Sequence, residues 1–363
     1  MILVTGGAGF IGTNLAAHLA RTGRRVRIYD DLSRPGVDRN LAWLQRTFGD
    51  KIDARIADIR DRAKLRDAAT GVEAVFHLAA QVAVTPSLAD PEHDFDVNAR
   101  GTLEVLEAVR VQKAPPPFVF VSTNEVYGAM ADLPLHATAT RWLPVDDVLA
   151  GRGIAETRPL EPRTPYACSK ACADQYVLAY ARSFGIPATV LRTSCVYGPH
   201  QVGSEDQGLV AQFLMRAIET PRGAASDGRP IAIHGDGKQT RDLLFVDDLV
   251  DAFVRAWSRV GALAGHAFNL GGGPANALGL TELLGLIESL CGRAPELRHG
   301  PWRSGDQKYY VSDATAFAEA TGWSARVAPR AGIEALYGWL VDPRSGVAAP
   351  SGKAGAFDHG RRG

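Results

Sequence analysis

A chain of 363 residues with 46% apolar content is large for one compact core and predicts a globular protein of two lobes. Lys+Arg and Asp+Glu both number 40, so the formal net charge is zero. No global basic field points to nucleic acid or to an anionic membrane, and a small anionic ligand would have to be met by local arginines.

The four cysteines, Cys168, Cys172, Cys195 and Cys291, form no C-x-x-C pair and no zinc spacing, so neither a metal site nor a disulfide framework is expected. The N-terminus lacks the basic-then-apolar layout of a leader, and no apolar stretch is long enough to span a membrane. A reduced, soluble, cytoplasmic protein is expected.

In chain order, Ile2–Thr5, Arg25–Tyr29, Asp53–Ile56, Ala74–His77 and Phe118–Val121 read as strands. Phe10–Thr22, Arg39–Phe48, Arg62–Thr70 and Asp94–Val111 carry helical periodicity between them. Repeated βα units predict an α/β fold with a doubly wound parallel sheet. Residues 129–165, rich in Pro, Ala, Thr and Arg, read as a long loop or lid. Tyr166–Phe184 resumes as helix and Ala188–Arg192 as strand. Beyond residue 196 the alternation becomes irregular, which predicts a smaller second lobe. The buried-looking segment Leu243–Trp257 is expected to return to the first lobe. The expected organisation is therefore 1–195 plus about 243–272 for the first lobe and 196–242 plus 273–342 for the second. Residues 343–363 are expected to be a disordered tail.

Ile2–Gly12 reads I-L-V-T-G-G-A-G-F-I-G: strand, glycine turn, helix start. Gly6 and Gly9 can adopt backbone angles closed to other residues. They would let a pyrophosphate approach the N–H groups of the helix start, at Phe10, Ile11 and Gly12. Asp30, 18 residues after Gly12, can accept hydrogen bonds from both ribose hydroxyls and repels a 2′-phosphate, which favours NAD over NADP. Arg34 would hold that phosphate instead, or is a solvated loop arginine. Asp58 and Ile59 follow the third strand and could edge the adenine; a helix N-cap is the alternative for Asp58. Leu78, Ala79 and Ala80 end the fourth strand and leave room for the cofactor backbone. His77 reads as a packed histidine at the end of that strand.

S-T-N-E-V-Y-G at 122–128 puts Thr123, Asn124 and Glu125 where the fifth strand ends, and strand ends of such sheets bind ligands. Tyr166 and Lys170 lie four apart on one helix face. A neighbouring ammonium and a cationic nicotinamide would both favour the phenolate, so that Tyr166 could take a proton from a sugar hydroxyl.

On these motifs the sequence resembles the extended short-chain dehydrogenase/reductase family, the NAD-dependent nucleotide-sugar epimerases and dehydratases, to about residue 342. The resemblance implies a Rossmann domain, a smaller C-terminal α/β substrate lobe, and a catalytic triad of Thr123, Tyr166 and Lys170. It implies a homodimer through Asp94–Val111 and Tyr166–Phe184. It also implies a diphosphate clamp from Arg241 in G-D-G-K-Q-T-R-D and Arg303 in W-R-S-G-D-Q, whose alternatives are surface ion pairs with Asp242 and Asp306. Many members carry Asn where this chain has Cys195.

Within the family, several stretches look similar to CDP-tyvelose (CDP-paratose) 2-epimerases. They are Asp31-Leu-Ser-Arg34, Asn40-Leu-Ala-Trp43, Gln81-Val-Ala83, Ser122-Thr-Asn124, Ala173-Asp-Gln-Tyr176, Asp206-Gln-Gly208, Gly237-Lys-Gln239, Asp306-Gln307 and the long insertion. That likeness implies a CDP-3,6-dideoxyhexose substrate, with Gln81 and Asn124 among its contacts. Glu125 departs from it: Lys is usual there, whereas Glu is usual in 4,6-dehydratases. Asn124 is an amide and cannot protonate a leaving group. The pair is expected to orient the sugar; a plain turn is the alternative.

Overall fold

The computed structural model describes residues 1–201, 208–219, 230–292, 296–303 and 305–345. Seven strands form one all-parallel sheet: β1 (Ile2–Thr5), β2 (Val26–Asp30), β3 (Ile52–Ile56), β4 (Ala74–His77), β5 (Phe118–Thr123), β6 (Ala188–Thr193) and β7 (Ala267–Leu270). Their order is β7-β6-β5-β4-β1-β2-β3, the doubly wound Rossmann arrangement. The chain reverses its direction of growth between β1 and β4, which opens a crevice at the strand C-termini. Helices cover both faces, so the strands read as continuous apolar runs; every residue of β1, for example, is buried.

Local chemistry sets the helix ends. Pro165–Phe184 starts with the Thr164 hydroxyl accepting from Ala167 N and with proline in the first turn, and stops at Gly185 with φ +66°. The predicted helix Asp94–Val111 is nearly continuous from Pro91 to Arg110, with one wider, π-type turn at Asp96–Arg100.

A smaller sheet is built around Thr240–Phe245. That strand pairs in parallel with Cys195–Tyr197 and Tyr309–Tyr310, and antiparallel with Ala277–Gly279. A separate apolar cluster, including Phe213, Ile233, Leu243, Leu283 and Leu336, packs beside it. The segment Leu243–Trp257 divides at Phe245. Its strand belongs to the small sheet, while the helix Val246–Ser258 sends Leu249, Val250, Phe253 and Ala256 into the core of the large one.

Residues 129–165, expected as a loop, contain a hairpin of Leu135–Ala137 with Trp142–Pro144 and a short helix, Asp147–Arg152. The hairpin is strapped to the small lobe by Trp142 N donating to Lys238 O and by an Arg141–Glu282 ion pair. In the expected tail, Pro343–Ser345 form a short turn; the rest of it, like Asp206 and Gln207, lies outside the described residues. Among the described residues, no helix is long and apolar enough to cross a membrane, and no group of three or more His, Cys, Asp or Glu could hold a metal ion.

One buried ion pair joins the long helix to β6. Arg192 Nε and Nη2 meet Asp174 Oδ2 and Oδ1 at 2.8 and 2.9 Å, with both side chains almost fully enclosed. Asp174→Ala leaves a buried guanidinium without its charge partner. A loss of about 3–5 kcal/mol is expected, to be read from urea denaturation.

Candidate active site

The turn after β1 is shaped for a phosphate. Gly6 has φ +67°, and a Cβ there would lie 2.7 Å from Ala79 N. A Cβ on Gly12 would lie 2.3 Å from Gly6 O, so only glycine lets the helix Phe10–Arg21 approach its own loop. Gly9 caps that helix without a side-chain acceptor. Helix geometry leaves the N–H groups of Phe10, Ile11 and Gly12 without a partner in the preceding turn, and they face an anion with the favourable end of the dipole. These features fit a dinucleotide pyrophosphate.

Asp30 is the last residue of β2. One carboxylate oxygen accepts from Ala8 N and the other from Leu32 N, both at 3.0 Å. It therefore pins the glycine loop as well as facing the groove, a second duty that its spacing did not reveal. Burial raises its pKa. The Arg34 guanidinium, whose pKa burial lowers, acts electrostatically on both Asp30 and Tyr166 and so stands beside the groove.

Asp58 is no helix cap: Asp61 caps Arg62–Ala69 by accepting from Lys64 N, and Asp58 instead pairs with Arg60 at 2.6 Å. Ile59 is buried against Gly101. Leu78 N and Ala79 N both donate to the Thr5 hydroxyl, which draws the β1 and β4 ends together. His77 is fully buried between the hydroxyls of Thr5 (2.7 Å) and Thr102 (2.9 Å).

Thr123 ends β5, and its hydroxyl accepts from Glu125 N at 3.2 Å. It also favours the phenolate of Tyr166, which lies on the long helix. Burial holds the Tyr166 phenol well above its ordinary pKa; Glu125 and Asp94 raise it further, while Thr123 and Arg34 oppose them. Lys170 Nζ donates to Val121 O at 2.6 Å and sits 4.4 Å from the centre of the Phe120 ring. Burial lowers its pKa to about 8, against the pull of Asp174 and Asp94. The Asn124 amide is committed, donating to Gln307 Oε1 at 2.9 Å.

Thr123, Asn124, Glu125 and Tyr166 open into a cavity of about 380 Å³ that also receives Cys195, Gln239, Arg241, Arg303 and Asp306. Apolar groups, among them Phe213, Ile233 and Leu283, line its other side. Among the described residues no ion pair joins Arg241 to Asp242 or Arg303 to Asp306. Asp242 is buried and accepts from Ser194 Oγ, Gly273 N and Ser312 N, which leaves Arg241 turned to the cavity.

Burial raises the Glu125 pKa; Arg241 lowers it and Asp306 raises it. Burial pushes the Cys195 thiol up to about 11, so it stays protonated and is a weak donor at neutral pH. Val82, Ala83 and Val84 line this wall of the cavity rather than Gln81, whose Nε2 donates to Ala83 O. Sequence reasoning gave no individual role to Gln239 or Gln307, and gave Asp306 only that of an alternative ion-pair partner for Arg303; the resemblance marked G-K-Q and D-Q as stretches.

Residues 2–271 match the Epimerase family, described as the NAD dependent epimerase/dehydratase family. The chain belongs to that family. Its members use NAD, which agrees with the glycine loop and with Asp30. The chain is 38% identical to the CDP-paratose 2-epimerase of Salmonella typhi over 93% of its own length and 98% of the relative's. It is 35% identical to the UDP-glucose 4-epimerase of Mycolicibacterium smegmatis, over 91% and 95%. Its fold is similar to the dTDP-glucose 4,6-dehydratase of Streptomyces venezuelae solved with NAD, with a TM-score of 0.78, 28% identity and coverage of 94% and 97%. A nucleotide-sugar epimerase or dehydratase is thereby established as the enzyme class.

The buried His77 of this NAD-dependent enzyme carries a pH signature. Burial, followed by the Lys170 charge, lowers its pKa from 6.5 to about 3. Below pH 6.5 the unfolded chain takes a proton that the folded protein refuses. Stability from this group is therefore complete above pH 6.5 and is lost as pH falls toward 3. His77→Gln should flatten the acid limb of stability against pH by up to about 1.4 kcal/mol per pH unit, as read from urea titrations between pH 6.5 and 4.

Proposed function

We propose that this enzyme is an NAD-dependent nucleotide-sugar epimerase that inverts C2 of a CDP-(di)deoxyhexose through a transient 2-keto sugar. The observation that carries the reading is the single cavity in which Thr123 and Tyr166 share space with Arg241 and Arg303. A reaction centre and two forked cations fit the two halves of a nucleotide-diphosphate sugar. The similarity to CDP-paratose 2-epimerase over nearly the whole of both chains supports the choice of CDP and of C2.

NAD, when bound, supplies the hydride acceptor and donor for the sugar carbon. Gly6, Gly9, Phe10, Ile11 and Gly12 would hold its pyrophosphate, and Asp30 its adenosine ribose. Asp58, Ile59, Leu78, Ala79 and Ala80 would line the rest of its groove. Tyr166 Oη takes the proton of the C2 hydroxyl and returns it after the 2-keto sugar has presented its other face. Thr123 Oγ1 holds the reacting oxygen. Lys170, fixed by the Val121 carbonyl, is the ammonium one turn along the helix from Tyr166, and the Arg34 charge opposes the burial of the phenolate. Arg241 and Arg303 grip the diphosphate while the sugar turns over.

Glu125 and the likeness to 4,6-dehydratases favour a second reading, in which Glu125 is a base at C5 of a 4,6-dehydratase; a 4-epimerase is the other alternative. The similarity to CDP-paratose 2-epimerase favours an orienting role. Burial raises the Glu125 pKa, with Arg241 lowering it and Asp306 raising it, and a raised carboxyl suits a hydrogen-bonding group as well as a base.

The homodimer implied by the family resemblance would use the exposed Phe95, Tyr176 and Phe184 on the two helices beside the site. Sedimentation should give twice the chain mass, and Tyr176→Asp should shift it toward the monomer.

In a panel of CDP-, UDP-, dTDP- and GDP-sugars, turnover is expected with a CDP-deoxyhexose. Tyr166→Phe should lower kcat by about 10²–10⁴-fold while NAD stays bound. Arg241→Ala and Arg303→Ala should mainly raise KM, because a diphosphate is bound alike in ground and transition states. A fall in kcat at unchanged KM would remove them from the clamp.

Deuterium oxide separates the two chemistries. The 2-epimerase gives product with no deuterium on carbon, and Glu125→Gln, which mimics the neutral acid, costs about 10-fold or less, a hydrogen bond's worth of about 1 kcal/mol. Deuterium at C5 or C6 with a loss of about 10³-fold, the scale of a lost general base, would assign the dehydratase.

A further inference from the structure

Gln307 contacts the reaction centre without lining the cavity. It is 1% exposed, and both ends of its amide are used on the turn that carries Asn124 and Glu125. Nε2 donates to Gly128 O at 2.8 Å and to Asn124 O at 3.4 Å. Two carbonyl acceptors fix that end as the NH2 group, so Oε1 must be the atom that receives Asn124 Nδ2 at 2.9 Å. Asn124 is thereby held with its own Oδ1 toward the Thr123 hydroxyl, 3.5 Å away.

The same short segment touches the ligand side. Arg303 N donates to Asp306 Oδ2 and Asp306 N to Arg303 O, and the side chains of these two residues enter the cavity immediately before Gln307. Arg303 belongs to the small lobe's side of the cavity, whereas Asn124 follows the end of β5 in the large sheet.

We propose that Gln307 is a positioning residue that locks the 124–128 turn to the Arg303–Asp306 segment. The reaction centre then keeps its geometry only while the two lobes are in register. Asn124 sits one residue from both Thr123 and Glu125. A shift of the turn therefore misplaces the hydroxyl and the carboxylate together, while Tyr166, on a separate helix, stays in place.

The test rests on the proposed CDP-sugar activity only in its kinetic arm. Gln307→Ala should lower kcat by about 10²-fold, the scale of a small misplacement of reacting groups, with KM changed less than about threefold, since the clamp arginines are intact. Gln307→Ala removes the contact to the Asn124 side chain together with both bonds to the turn's carbonyls, so Asn124→Ala should add little to it and the double variant should show the same kcat as Gln307→Ala. Losses that multiply in the double variant, or a loss confined to KM, would overturn the proposal.

Gln307→Glu guards against a general folding defect. Ionised, it sets a carboxylate against two carbonyls; protonated, it regains a donor. Its kcat relative to the parent enzyme should rise as pH falls from 8 to 5.5, and a flat ratio counts against the lock. A second arm needs no turnover. With CDP added, amide exchange in residues 125–128 should be faster in Gln307→Ala than in the parent. Unchanged exchange sinks the inference whatever the substrate is, whereas faster exchange without CDP-sugar turnover leaves it standing and removes the substrate assignment.

Discussion

The candidate site is built around one ammonium, Lys170, kept where water does not reach it. Burial draws its pKa down to about 8, and the protein opposes that with the Val121 carbonyl, the face of Phe120 and the charges of Asp94 and Asp174. Each helper is itself held. Asp94 accepts from Ser169 and Asn98. Asp174 is gripped by the Arg192 fork, Arg192 Nη1 donates to the Tyr127 hydroxyl, and Tyr127 donates to Asn269 at 2.7 Å. The chain of contacts runs from the long helix through β6 to β7. In a low-dielectric interior such a network stabilises only when every member is satisfied, which ties the site to three separate elements.

The large sheet was legible because βα alternation, glycine punctuation and apolar runs all point the same way. The glycine loop and Asp30 were marked by their offsets from strand ends, whereas the roles expected of Thr123, Tyr166, Lys170, Arg241 and Arg303 came from the family resemblance; the structure brings Thr123, Tyr166, Arg241 and Arg303 into one cavity. The small sheet was hard to read for the opposite reason. Its strands are as short as Cys195–Tyr197 and Tyr309–Tyr310, too short for a period to register. Leu243–Trp257 reads as one buried-looking segment, and only the structure shows the change from strand to helix at Phe245.

Contacts between distant residues were also invisible. Asn124 and Gln307 are 183 positions apart, and nothing local to either amide names the other. At Asp58 the alternative of a helix cap drops out. Two carboxylates, Asp58 and Asp61, precede the same helix; the later one sits at the capping offset and takes the cap, which leaves the first to its neighbour Arg60.

The position of Arg241 follows from its neighbour. Side chains alternate along a strand, so once Asp242 turns inward Arg241 must turn the other way. Asp242 is fully buried, and its two oxygens take Ser194, at the end of β6, Gly273, after β7, and Ser312, beyond the small sheet. A Cβ on Gly271 would lie 1.9 Å from Asp242 Oδ2, so the backbone there has been brought against the carboxylate at the closest distance glycine allows. Three segments from both sheets thus converge on one side chain. The pairing of Leu243 with Cys195 in the same strand then sets Cys195 beside Arg241. The places of Arg241 and of the Cys195 thiol in the cavity are consequences of how one buried carboxylate is satisfied.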